Sequence, residues 1–418
     1  MKRILLKMKN KSLIFFLLIL GSFSLISHKF CTASPLKIFM REMSERSLIS
    51  SLYNTKRYLS STDLNPPKKV VRILSIDGGG IRGILPALVL CKLESEIERK
   101  SGQKKRIGEV FDIIAGTSTG GIMALGLSMK GNDHRPCYSA FEIKNLYEKN
   151  GQRIFEGFGF VRKVSTIYGL LAPKYSTEGF KRVLKSYFED TRLSQACTTT
   201  LVTSHNLEPG RNARHGDILF NSREAYQNQS NDYLMRHVAR ATGSAPTYFE
   251  SAKIKSIDSV RTLNLIDGGI FCNNPTKIAL KTARRYWPGT DYDYVIVSLG
   301  TGYSDEAVID YYNSRAGGIL SWGKTFPSLM LQNASAQVDD NMSHLYPQTG
   351  KERRYFRIQF ILPKCNIALD NASSSNIRKL EIQGNSQLSD RYSSYVDRIS
   401  DILVQERPYA SNGILIPN

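Results

Sequence analysis

Apolar positions in this chain fall into short β-branched runs that alternate with stretches of helical period. Val70–Ile76 (VVRILSI) has the length and composition of a buried strand. After a glycine loop, Leu85, Val89, Leu93 and Ile97 recur every four residues, with Glu94, Glu96 and Glu98 on the other faces. That spacing predicts an amphipathic helix, closed by Gly102. VFDIIA (110–115) predicts the next central strand, and Ile122 to Met129 its following helix. TLVT (200–203), TLNLI (262–266), YVIVSLG (294–300) and RRYFRIQFIL (353–362) predict further strands. NPTKIALKTARRYW (274–287) predicts a helix, and 376–405 one or two surface helices. Strands alternating with helices imply an α/β layered domain around a largely parallel sheet. Nothing within 70–405 divides it.

The first 33 residues follow another pattern. Lys2, Arg3, Lys7, Lys9 and Lys11 precede an uncharged apolar stretch, Ser12 to Ser27, and Cys31 and Ala33 are small residues at −3 and −1 of a cut site. This is the pattern of a secretory signal peptide, and the apolar core is shorter than the ~20 residues of a membrane span. The expected organisation is a signal peptide over 1–33, a loosely ordered Ser-rich lead-in over 34–69, one domain over 70–405 and a tail over 406–418. The mature protein is expected to be secreted or exported.

The net charge of +20 falls to +14 without residues 1–33, which carry six Lys or Arg and no acid. Such an excess favours anionic partners, nucleic acid or an acidic membrane surface. For an exported protein the expected partner is the membrane, not nucleic acid. The six cysteines contain no C-x-x-C pair, so neither a zinc site nor a dense disulfide scaffold is indicated.

Two glycine loops carry candidate chemistry. SIDGGGIRGILPA (75–87) fits G-x-G-x-x-G at Gly78, Gly80 and Gly83 between a strand and a helix, the pattern of a dinucleotide-binding turn. Against that reading, Asp77 would face the phosphates, and the next strand ends in Ala115-Gly116 with no acid for a ribose. The second loop, Gly116-Thr117-Ser118-Thr119-Gly120, is G-x-S-x-G between a strand and a helix. A nucleophilic serine projecting from a sharp turn needs small residues two before and two after it. The alternative is a small-residue helix start with Ser or Thr as cap. A serine nucleophile also needs an oxyanion binder and a base. The bare amides of Gly78, Gly79 and Gly80, with Thr119 N–H after the nucleophile, can supply the binder. Arg82 can hold that loop or add positive charge. Histidines 134, 205, 215, 237 and 344 lack a distinctive loop context, whereas Asp267 ends an apolar strand in LNLIDGGIFCNNP (263–275). The two following glycines leave its side chain accessible, and partial desolvation there raises its pKa toward that of a useful base. The alternative is a turn aspartate capping a helix start.

Together DGGGIRG (77–83), GTSTG (116–120) and DGG (267–269), in that order, resemble the patatin-like phospholipase family, as do GSAPTYF (243–249), SLGTG (298–302) and RYFRIQ (354–359). The resemblance runs over roughly residues 70–390. It implies a three-layer α/β/α fold and a lipid acyl hydrolase with a Ser118–Asp267 dyad, without catalytic histidine, calcium, metal or other cofactor. It further implies an oxyanion hole at Gly78, Gly79 and Gly80 supported by Arg82, and a phospholipid or other acyl-lipid substrate. The family also holds storage proteins and acyltransferases, so a lipid-binding or storage protein with incidental esterase activity is the competing expectation. Residues 149–188 add eight basic residues interleaved with Phe155, Phe158, Phe160, Tyr168, Leu170, Leu171 and Tyr175, a composition suited to an anionic bilayer surface.

Overall fold

The computed structural model describes residues 68–156, 173–208, 216–305, 326–346, 353–363 and 368–405. The expected signal peptide, the lead-in up to residue 67, the tail from 406 and the middle of the basic-aromatic segment (157–172) lie outside the described residues.

Eight strands form one mixed sheet: β1 (Lys69–Ile76), β2 (Ile113–Thr117), β3 (Thr199–Asn206), β4 (Asp217–Asn221), β5 (Ala252–Lys255), β6 (Thr262–Asp267), β7 (Tyr292–Leu299) and β8 (Tyr355–Ile358). Their order is β5-β6-β3-β2-β1-β7-β8, with β4 also on β3. β3-β2-β1-β7-β8 run parallel, while β4, β5 and β6 join antiparallel.

Strand β1 shows why both faces need cover. Val71 and Ile73 pack into one apolar cluster and Leu74 and Ile76 into the other, all buried. The period of two sends successive side chains to opposite faces, and a parallel sheet so built must be sandwiched. On the Leu74–Ile76 face lie α1 (Ile84–Ser101), a single turn α2 (Ile107–Val110), α3 (Thr119–Ser128), α4 (Ala140–Ile154), α5 (Thr177–Phe188), and, past a short α6 (Ser222–Gln227), α7 (Met235–Thr242). The opposite face carries α8 (Thr276–Tyr286) and α9 (Phe326–Leu345). The result is the α/β/α layering implied by the resemblance.

Helix α1 follows its sequence pattern closely. Leu85, Val89, Leu93 and Ile97 are fully buried, each contributing roughly 1.5–3 kcal/mol of burial. Gly102 ends it in the left-handed region, its N–H donating to Glu98 O at 2.9 Å. Elsewhere the structure corrects the expectations. Val110 belongs to the turn of α2, and the strand starts only at Ile113. The Glu109 carboxylate accepts from Arg106 N at 2.6 Å and Glu109 N–H donates to Arg106 O at 2.9 Å, which holds 107–110 out of the ladder. The C-terminal helices α10 (Ser374–Asp390) and α11 (Ser393–Val404) are not surface additions. They bury Leu380, Leu388, Val396, Ile399 and Leu403 in the same cluster as α1.

Arg72, buried on β1, ties α11 down: its guanidinium donates to Ile402 O at 2.8 Å, Leu403 O at 3.1 Å and Gln405 O at 2.9 Å. These are the carbonyls a helix C-terminus leaves unpaired. Among the described residues no helix is long and apolar enough to cross a membrane. Arg72→Met strands those carbonyls, and we expect urea unfolding to show a loss of about 2–4 kcal/mol. An unchanged midpoint would mean that α11 docks without the clamp.

Candidate active site

The carboxyl ends of β1 and β2 carry the two glycine loops, the position at which open parallel sheets place their ligands. β2 runs straight into Ser118, which adopts φ 54° and ψ −123° before α3 begins at Thr119. A positive φ at a non-glycine residue is strained and survives only when its surroundings enforce it. Here the Ser118 N–H donates to Thr242 Oγ1 at 2.8 Å, and the Ser118 carbonyl accepts from Ile122 N at 3.0 Å. The flanking glycines are needed for close approach. A Cβ on Gly116 would sit 2.0 Å from Gly120 O, and one on Gly120 would sit 2.2 Å from Ile76 O. Although Ser118 stands at the N-cap position, its hydroxyl makes no capping bond.

That hydroxyl shares the cleft with the Asp267 carboxylate, near enough to lower that group's pKa. The meeting is dictated by register. β2 pairs with β3 up to Thr117 opposite Thr203, and the next β3 residue, Ser204, is already opposite Asp267 at the end of β6. β4 holds the other edge of β3 over residues 201–205, so β2 and β6 share one edge, end to end. Asp267 is only 5% exposed, more enclosed than the two glycines after it suggest. Burial raises its pKa to about 6, against the lowering effect of the Ser118 hydroxyl and of Gly269 N–H, which donates at 2.8 Å. Asp267 therefore caps the short 3-10 turn after β6 while lining the cleft with Ser118.

The first glycine loop lies against the same spot, but its three amides are not equivalent. Gly78 N–H donates to Asn273 O at 3.2 Å, and Gly78 O accepts from Thr301 Oγ1 at 2.7 Å. Its N–H is thus occupied, which narrows the expected donor set. Gly79, Gly80 and Thr119 line the cleft together with Ser118 and Asp267, whereas Gly78 does not. Among the described residues no acceptor takes the N–H groups of Gly79, Gly80 or Thr119. Gly80 has φ +57°, and Ile81 N–H anchors the loop's far side to Leu369 O at 2.8 Å. Arg82 lies one turn on, its N–H donating to Gly79 O at 3.2 Å. Its guanidinium is buried beside Tyr248, and burial lowers its pKa to about 10.

The rest of the cleft is apolar, walled by Ile81, Ile122, Ile154, Phe155, Phe249 and Leu331. No described histidine lines it; His205 bonds to Asp217 at 3.1 Å, and His215 lies outside the described residues. Cys91, Cys137, Cys197 and Cys272 are free thiols. Of the expected basic-aromatic segment, Phe155 lines the cleft, and Lys174 lies over the rings of Tyr175 and Tyr248. Sequence reasoning missed Asn273, Thr242 and Thr301, which hold the two loops in place. Asn273 stands in the NNP that follows DGG, the one local signal available.

Residues 74–280 match the sequence model of the patatin-like phospholipase family. Patatin-like protein 2 of Arabidopsis thaliana is 32% identical over 320 residues, 71% of this chain and 77% of that protein. The chain belongs to the patatin-like phospholipase family. Patatin-like protein 2 of Oryza sativa subsp. indica is 31% identical over 359 residues, 79% of this chain and 86% of that protein. A Solanum tuberosum relative named "Probable inactive patatin-3-Kuras 1" is 28% identical, covering 74% and 84%. Membership in the patatin-like family thus gives the fold, and activity has to be argued from the site.

Two expectations follow for this patatin-like site. Gly116→Ala or Gly120→Ala forces backbone apart at the Ser118 turn, with a stability loss of ~1–3 kcal/mol in thermal unfolding. Because the fold raises the Asp267 pKa from 3.8 to about 6, this carboxyl contributes stability that is full below about pH 4 and is lost as pH rises through about 6. Asp267→Asn removes that loss. The variant should be the more stable above pH 7, by up to ~3 kcal/mol, with the gap closing toward pH 4. A variant no more stable than wild type at pH 8 contradicts a costly buried charge.

Proposed function

We propose that the protein is a lipid acyl hydrolase of the phospholipase A type, working through a Ser118–Asp267 dyad. The observation that carries this reading is Ser118 in one cleft with the buried Asp267 carboxylate, whose pKa it lowers, beside the unengaged amides of Gly79 and Gly80. Asp267 takes the Ser118 proton as Oγ attacks the ester carbonyl. The carbonyl oxygen becomes an oxyanion facing Gly79, Gly80 and Thr119 N–H, at the positive end of α3. The protonated Asp267 returns its proton to the leaving alcohol, and an acyl-enzyme remains. Water then gives its proton to Asp267 and attacks the acyl carbon, releasing the fatty acid and restoring the Ser118 hydroxyl.

A carboxyl with a pKa near 6 is a stronger base than an ordinary aspartate and is still ionised at neutral pH. The acid limb of kcat/KM should accordingly fall near pH 6. The apolar walls suit an acyl chain. Exposed Ile270 and Met330 stand beside Asp267 and the cleft residue Leu331 in sequence, which supports work at a lipid surface by an exported protein.

The test is lipid mass spectrometry of vesicle phospholipids incubated with wild type and with Ser118→Ala, in the presence of a chelator. Free fatty acid and lysolipid should appear with wild type and fall at least ~10³-fold with the variant. Equal release by both would remove the dyad. Absence of release by wild type would favour the lipid-binding or storage reading.

A further inference from the structure

Amides can stabilise an oxyanion only if they are aimed before the charge develops, so something must fix the glycine loop. The fixing starts one residue upstream. Asp77, 1% exposed, is the first residue beyond β1, and its N–H donates to Leu299 O at 2.9 Å. Its two carboxylate oxygens receive Arg357 Nη1 at 3.0 Å and Nη2 at 2.6 Å. Arg357 comes from β8, in register with Ser298 of β7, and Nη1 also donates to Ser298 Oγ at 2.9 Å. Its side chain is 9% exposed, and its Nε lies 3.9 Å from the Asp339 carboxylate on α9. The pair is therefore a fork-to-fork contact sealed inside the sheet's carboxyl end, a geometry that fixes orientation as well as distance. Arg357 is not among the residues that line the cleft; it meets the loop through Asp77.

A buried ion pair is weak evidence for stability, because desolvation of the two charges offsets most of their attraction. What this pair does supply is direction. With the Asp77 side chain held by Arg357 and its N–H held by β7, the next residue, Gly78, is presented to Asn273 and Thr301, which engage its N–H and its carbonyl. Gly79 is then the first amide left over, and it faces the cleft with Gly80.

We propose that Arg357 is a positioning residue of the ester hydrolysis: by gripping Asp77 with two parallel hydrogen bonds it aims the Gly79 and Gly80 amides at the developing oxyanion. This rests on the reading of the site given under Proposed function. Lysine offers a point charge in place of the planar fork and cannot reproduce the two-bond grip. Its effect falls on the transition state, lowering kcat with KM unchanged.

The experiment compares wild type, Arg357→Lys and Ser118→Ala on a p-nitrophenyl ester and on its thiono counterpart, whose sulfur uses an oxyanion hole poorly. For Arg357→Lys the expected result is a 10–100-fold fall in kcat on the oxygen ester, KM within about twofold, an unmoved acid limb near pH 6 and a smaller oxygen-to-thiono rate ratio. An unchanged ratio in the folded variant overturns the proposal. If Arg357→Lys does not fold, Asp77→Asn, which keeps the shape and one acceptor, is read by the same ratio. Ser118→Ala separates the two claims. Full activity there sinks the dyad, whereas an inactive Ser118→Ala beside a wild-type-like Arg357→Lys sinks only the role of Arg357.

Discussion

A nucleophile at the end of one strand and a carboxylate at the end of another meet only if a third strand sets their offset. In this protein β3 is that strand. It pairs with β2 as far as Thr203 and with β6 from Ser204 onward, along the same edge. Ser118 and Asp267 are therefore delivered by main-chain hydrogen bonds and not by side-chain adjustment. A slip of one residue between β3 and either partner would turn one of the two groups to the wrong face. The hydroxyl bridge from Thr117 to Thr203 at 2.7 Å, and from Thr117 to Cys272 O at 2.7 Å, ties the three segments where slippage would do most harm.

Around that junction the fold tolerates two unfavourable local states. Ser118 sits in a backbone conformation that a side chain disfavours, and Asp267 is ionised away from water at neutral pH. Both are offset by neighbours that do not line the cleft: Thr242 under the turn, Gly269 N–H on the carboxylate, and the close contacts of Gly116 and Gly120. Strain and desolvation held at one place by a rigid surround are what a prepared catalytic group requires. The neighbouring apolar walls keep that place dry.

How much of this the chain announces depends on the range of the interaction. Helix α1 was legible because its period, its burial and its terminal glycine agree. Strand β1 was legible for the same reason, and so were both loops and the aspartate, since each is a local pattern of small residues at a strand end. What could not be read locally is long-range. The predicted strand 353–362 shrinks to Tyr355–Ile358 because the Gln359 side chain accepts from Gly302 N at 2.7 Å and Phe360 N at 3.1 Å, taking the place of the ladder. β4 and β5 are edge strands of five and four residues, too short to stand out as apolar runs. The occupied Gly78 amide needed the position of Asn273, and the enclosure of Asp267 needed the whole sheet.

The grip between Asp77 and Arg357 joins positions 280 residues apart, and Arg357 stands on the last strand among the described residues. During synthesis the serine turn and its aspartate can be in place while the closing strand is still within the ribosome. The glycine loop gains this grip only when that strand docks. The proposed oxyanion loop thus takes its grip from one of the last described segments to be made, so the order of synthesis sets when the site can be completed.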